Sequence, residues 1–400
     1  MLHIGSTFFT HTFSKTNKYN DSHMKFADII GQAQIKKQLT DIVASGRISH
    51  TMLFTGPKGT GKFPLALAYA QYLLCDNPSE TDSCGECPSC KRVESLEYPD
   101  LHLIYPTIKK KSTDKPKSED FIALFREMFK GKPYFSYIDW IQQLNAENKK
   151  AGIFVSENES LMHKLSLKSY GGKYKIFIIW MLEKVNMETA NKLLKALEEP
   201  PEKTIFLLIS DHTELILPTI LSRAQLLRTQ MLKSSEIEEG LIRHFKLEPS
   251  EANKFAVYAD GNFNKAASLI QNSDAIDDNL EKFAFFFREA YRFNIEEIDK
   301  AVNQFKSMSR DTIIEFLQYS LFIVRNNMAL NQQLDKLVKL TDEEREFSAK
   351  FSQLITPHRA QILASEIEEA VFHINRNVST RIVMFDLAIK IHEGLKTKVK

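Results

Sequence analysis

The sequence predicts an α/β domain on a parallel five-stranded sheet, followed by two all-helical domains. Three observations carry that reading. Apolar, strand-like runs alternate with helical periodicity from about residue 30 to residue 228. The string GPKGTGK (56–62) falls between one such run and one such helix, the setting that a phosphate-binding loop requires. Beyond about residue 230 the strand-like runs stop and only helical spacing remains.

At 400 residues the chain is too long for one ordinary core. Its 43% hydrophobic and 26% charged residues describe a globular protein. Lys and Arg total 53 against 51 Asp and Glu, a formal charge of +2 that argues against wrapping nucleic acid by bulk charge. No apolar run is long enough to span a membrane, so no membrane partner is expected and the cytoplasm is the default compartment. Residues 1–23 lack the charged start and continuous apolar stretch of a secretory signal. They read as a disordered leader, or as the product of an upstream start with the folded protein beginning near Met24.

The α/β domain is expected over 24–228. Ile35, Leu39, Ile42 and Val43 recur at helical spacing, and HTMLF (50–54) follows as a buried strand. The glycine loop comes next, then the helix PLALAYAQYLLC, with Pro64 tolerated in its first turn. DLHLIYP (100–106) is the second strand. Residues 107–155 read as an insertion. It holds a lysine-rich loop, whose Lys109–Lys111 run reads as solvated, and a helix over 118–130. That helix is expected to be capped by Ser118 and to line up Phe121, Leu124, Phe125 and Met128 on one face. Ile176–Ile179 form the third strand. METANKLLKALEE is a helix that turns Ala190, Leu193, Leu194 and Leu197 inward and stops at Pro200-Pro201. TIFLLIS (204–210) is the fourth strand, and PTILSRAQLLR (218–228) is a short helix turning into a fifth. A small helical domain over 229–276 and a larger one over 277–400 complete the chain. In the latter, Phe-rich faces such as LEKFAFFFREAYRF mark core or subunit interface.

All four cysteines fall within one short stretch, spaced Cys75-x8-Cys84-x2-Cys87-x2-Cys90. A Cys-x2-Cys turn presents two sulfurs to one ion, and Gly85 and Pro88 supply tight turns. Disulfides fit poorly in the cytosol, and a redox dithiol needs only two sulfurs. The reading is structural Zn2+ held over 75–90, with all four corners filled by protein.

The phosphate loop is degenerate. Gly56, Gly59, Gly61 and Lys62 keep the backbone and the cation that attract phosphate, but Phe63 stands where a Ser or Thr hydroxyl would hold Mg2+. The third strand of such ATPases ends in Asp-Glu, to orient the metal shell and activate water; here those positions hold Trp180 and Met181. ATP binding is therefore doubtful, and hydrolysis in this site is not expected.

These features together resemble the delta-prime clamp-loader family of bacterial DNA polymerase III, a branch of the AAA+ group. The resemblance rests on FADIIGQ, SGRISHTMLFTGPKGTGK, the four-cysteine cluster, KLSLKSYGGKYKIFII, ANKLLKALEEPP and LPTILSRAQ, from about Phe26 to Arg228. It implies a ring of related subunits that loads a sliding clamp onto primed DNA. The implied partners are gamma/tau and delta subunits, the clamp, and primer–template DNA. It further implies that 229–276 is a lid and 277–400 a collar. Delta-prime members are not working ATPases but complete a neighbour's site through the arginine of a Ser-Arg-Cys motif. Ser222 and Arg223 match that motif; Ala224 replaces its cysteine. Asn264 falls where active relatives carry a lid arginine.

Two rival readings remain open on the sequence. An active gamma/tau-type ATPase could use Glu183 and Asp211 as substitute metal ligands, although Glu183 is expected to point poorly toward the site. A zinc-ribbon DNA-binding module is the other, but Lys91 and Arg92 are the sole basic residues flanking the cysteines.

Overall fold

Five strands, β1 (Thr51–Thr55), β2 (Leu101–Ile104), β3 (Lys175–Trp180), β4 (Thr204–Ile209) and β5 (Gln225–Arg228), form one sheet in the order β2-β3-β4-β1-β5. Every pairing is parallel, with Met52 opposite Leu207 and Gln225, and Ile178 opposite Leu103 and Leu207. The computed structural model describes residues 24–396 apart from 110, 112, 147, 148, 150, 172, 272, 307, 309 and 377. The leader expected over residues 1–23 lies outside them.

The three inner strands are buried along their whole length because helices cover both faces. Met52, Phe54, Ile176, Ile178, Ile205 and Leu207 point to one side, toward α1 (Ala33–Ala44) and α2 (Lys62–Leu74). Leu53, Phe177, Ile179, Phe206 and Leu208 alternate to the other. That second layer receives Ala190, Leu193 and Leu197, with Leu194 half-buried beside them. The cysteine segment carries α3 (Pro88–Glu94).

The insertion leaves the sheet after β2 and returns through a two-residue bridge in which Thr107 and Gly152 exchange backbone hydrogen bonds of 2.9 and 3.0 Å. It contains α4 (Ile122–Gly131) and α5 (Tyr137–Gln143), with α6 (Ser156–Ser166) just beyond. Two expectations for it need correction. Ser118 opens a 3-10 turn and is fully buried; its Oγ accepts from Tyr105 N and donates to Glu157, so it pins the insertion to β2 rather than capping a helix. Leu124 is 36% exposed and faces away from the apolar stripe that Phe121, Phe125 and Met128 form. Trp140 is fully buried, its Nε1 donating to Pro106 O at 2.7 Å. Lys109 rests its ammonium over the Phe154 ring, 5.1 Å from the centroid.

After α7 (Met187–Glu198) and α8 (Pro218–Leu221), the chain turns helical, with α9 (Ser234–Phe245), α10 (Pro249–Ala259) and α11 (Phe263–Gln271). The chain divides into two compact units between Ala267 and Ser268, so the first unit holds the sheet, α9, α10 and the start of α11. The second unit holds α12 (Ser273–Arg292), α13 (Ile295–Lys306), α14 (Arg310–Asn331), α15 (Asp342–Phe351), α16 (Pro357–Asn375) and α17 (Thr380–Lys396). Its core is aromatic: Phe283 stacks on Phe287 at 4.1 Å, and Phe305 meets Phe286 and Phe316. Among the described residues no helix is long and apolar enough to cross a membrane.

Candidate functional site

The glycine loop joins β1 to α2, and its glycines are needed for close approach. A Cβ on Gly59 would stand 1.7 Å from Asn262 Oδ1, and one on Gly61 would stand 2.7 Å from the Tyr134 ring. Both glycines hold positive φ, +72° and +80°, which L side chains rarely adopt. In this chain the neighbours that approach are the protein's own. Phe263 N, at the start of α11, donates to Gly59 O at 3.0 Å. Thr229 lies against Gly56 in the same manner.

Lys62, the first residue of α2, is 6% exposed and fully engaged. Its Nζ donates to Gly56 O at 2.9 Å and to Pro57 O at 2.5 Å, and it pairs with Asp211 Oδ1 at 2.9 Å. Burial pushes its pKa down, and the Asp211 carboxylate opposes that shift. Asp211 follows the last residues of β4. Its backbone N donates to Glu183 Oε1 at 3.2 Å, and Ser210 Oγ donates to Glu183 Oε2 at 2.6 Å. Glu183 therefore turns toward the end of β4, from the 3-10 turn Leu182–Lys184, instead of pointing away as the sequence suggested. The 3-10 turn brings it there because Met181 adopts a left-handed φ of +61°.

Phe63 is 5% exposed and forms the hub of an aromatic cluster. Its ring meets Phe125, Phe129 and Phe135 of the insertion edge-on, at 5.6, 5.6 and 5.1 Å, and Trp180 at 6.4 Å. Trp180 closes the end of β3 and packs on Phe135 at 4.8 Å. Met181 is buried beside it. Phe63, Trp180 and Met181 thus form one apolar wall. Asn264 sits half-buried on α11, one residue past Phe263.

Arg223 lies apart from this wall, just after α8. Its Nη2 pairs with Glu198 Oε1 at 2.6 Å and its Nη1 donates to Thr219 O at 2.8 Å, while 36% of the side chain stays exposed. Ser222 Oγ donates to Thr219 O, and Ala224 tucks against the second core layer.

The four cysteine sulfurs lie within 4.8 Å of one another. Three separations are 3.5 Å (Cys75–Cys84), 4.0 Å (Cys75–Cys87) and 3.8 Å (Cys84–Cys90). A tetrahedron of thiolates at ~2.3 Å from zinc has edges of about 3.8 Å, so the donor set fits. Backbone N–H groups of Cys87 and Glu86 hold the Cys84 thiol down to about 6, whereas burial pushes the Cys75 and Cys90 thiols up, so the fit to a metal rests on the sulfur geometry. Lys173 Nζ donates to Cys75 O at 2.5 Å and ties this segment to the start of β3.

Sequence reasoning missed Tyr134 and Asn262, and it considered Asp211 only as a substitute metal ligand in the rival ATPase reading, not as the partner of Lys62. Only the aromatic pair in KPYF, beside a proline, hinted that this turn of the insertion is packed.

A glycine loop between the first strand and its helix, on a five-stranded parallel sheet, defines a phosphate-loop protein. A family profile described as DNA polymerase III, delta subunit, matches residues 31–233, just over half of the chain. The chain belongs to that family, on its delta-prime clamp-loader side. It is similar to DNA polymerase III subunit delta' of Bacillus subtilis, 28% identical over 91% of this chain and 97% of that one. It is also similar to subunit delta' of Pseudomonas aeruginosa, 29% identical over 51% of this chain and 50% of that one. Similarity extends to DNA polymerase III subunit tau of Escherichia coli, 27% identical over 63% of this chain but spanning only 33% of the relative.

Proposed function

We propose that this chain is a non-catalytic delta-prime-like subunit of the replicative clamp loader, which lends Arg223 to the ATPase site of a neighbouring subunit. The observation that carries the first half is the state of Lys62. Its ammonium is held by Asp211 and by two carbonyls of its own loop, next to a wall of Phe63, Trp180 and Met181. Phosphoryl transfer asks a protein for little besides positioned charge, a metal shell and an oriented water. Gly56, Gly59, Gly61 and Lys62 remain as architecture, and Asn264 supplies no cation from the helical side.

The second half rests on Arg223. Its guanidinium stands on the surface, and its carboxylate partner among the described residues, Glu198, is itself 46% exposed, so the pair is weak and exchangeable. A guanidinium inserted beside a transferring phosphoryl group is worth ~10³–10⁵ in rate. In this reading the partners are gamma/tau and delta subunits, the sliding clamp and primer–template DNA reached through the complex. Residues 229–276 serve as a lid and 277–400 as a collar. Cys75, Cys84, Cys87 and Cys90 hold structural Zn2+.

The test is a reconstituted clamp loader carrying Arg223→Ala. Assembly is expected to persist while DNA-stimulated ATP turnover falls; unchanged turnover would reject the finger. One observation favours a second reading, an ATPase with rerouted ligands: Glu183 and Asp211 both stand beside Lys62. That reading requires ATP hydrolysis by the isolated chain that Lys62→Ala abolishes.

A further inference from the structure

The insertion has no task in the function above, yet its turn between α4 and α5 reaches the phosphate loop. Tyr134, on that turn, is 3% exposed and touches three elements at once. Its hydroxyl accepts from Ile30 N, ahead of α1, at 2.8 Å. Its ring crowds Gly61 of the loop. The same ring meets Phe263 of α11 edge-on, with centroids 4.8 Å apart. Gly240 of α9 completes the contact, since a Cβ there would stand 2.6 Å from Ile30 and 2.9 Å from Phe263. The next residue, Phe135, joins Phe63 to Trp180. Asp211 meanwhile gives Lys62 the negative charge that a phosphate would bring.

We propose that Tyr134 and Phe135, together with Asp211, form an internal ligand that takes the place of a nucleotide, and that Tyr134 is the part of it that fixes α9 and the start of α11 on the sheet. A nucleotide can join two parts of a protein only by mass action, in proportion to its concentration over its dissociation constant. A side chain delivered by the same polypeptide is always present. The insertion is therefore the reason this subunit holds one arrangement of these helices whatever the nucleotide level. The inference rests on the non-catalytic reading of the loop but fails separately from it, because its test reads the helices of the isolated chain and not turnover of a complex.

The experiment is hydrogen exchange with mass-spectrometric readout on the full chain and two variants, with and without millimolar Mg2+–ATP. In the parent protein, exchange over 234–267 should be the same with and without ATP. Tyr134→Ala should speed exchange over 234–267 by about tenfold or more and leave β3 and β4 unchanged. Tyr134→Phe keeps the ring, so it should leave 234–267 protected while releasing the Ile30 amide. Three results would overturn the proposal: slowing of 234–267 by ATP in the parent, unchanged exchange there in Tyr134→Ala, or loss of protection there in Tyr134→Phe. An even rise across sheet and helices in Tyr134→Ala would do the same, since it would make Tyr134 an ordinary core residue.

Discussion

Phe63 is a packing residue at the start of α2. A hydroxyl there would face metal and phosphate; the phenyl ring instead gathers three phenylalanines and a tryptophan around it. Restoring the hydroxyl should not restore hydrolysis, because Trp180 and Met181 still deny the metal its carboxylates. Phe63→Thr should instead leave a cavity and cost about 3 kcal/mol, read from urea or guanidinium unfolding, with phosphate release at background. The Lys62–Asp211 pair makes a second residue-level case. Asp211→Ala would leave a buried ammonium with its two carbonyls and only the neighbouring Glu183 charge, and should destabilise by about 3 kcal/mol. Removing Lys62 as well, as Lys62→Met, should recover much of that loss, a non-additivity that a double-mutant cycle measures.

Among the elements, the strands were the most legible. The inner strands β1, β3 and β4 are apolar runs covered on both faces, which need little besides apolarity, whereas the half-exposed edge strand β5 was read only as the end of the 218–228 stretch. The 118–130 helix was read too simply. Periodicity placed Leu124 on the apolar face and Ser118 at a cap, but Leu124 lies exposed, and Ser118 opens a 3-10 turn with a buried partner in Glu157. The site was legible where the pattern is local, as in the glycine loop with Lys62 between a strand and a helix. It was illegible where residues distant in sequence meet: Tyr134 against Gly61, Asn262 against Gly59, Asp211 against Lys62. The cysteine segment is the element most exposed to test. Purified without chelator, the chain should carry one zinc ion, and stripping it should release 75–94 to proteolysis because α3 is too short to persist alone. Retention of that segment's protection in metal-free protein would contradict the zinc reading.

For the first compact unit as a body, the buried His244 and the half-buried His102 contribute to the acid limb of stability. Burial holds His102 and His244 down to about 4; Lys164 and Lys175 add to the shift at His102, where Asp100 and Glu119 oppose it, and Arg243 adds to it at His244. Both are neutral in the folded state, whereas the unfolded chain takes up protons near the ordinary value of 6.5. The unfolded state therefore binds more protons between about 6.5 and about 4, and stability falls as pH drops through that window. The melting temperature should decline over that range, and His102→Asn should flatten the decline.

The most direct measurement is ATP turnover by the purified, isolated full-length chain with Mg2+, compared with its Lys62→Ala form. Phosphate release is expected to match the protein-free background in both, because the loop's cation and its metal position are occupied by the protein itself. Sustained release that disappears with Lys62→Ala would contradict this, and would make the subunit an ATPase in its own right.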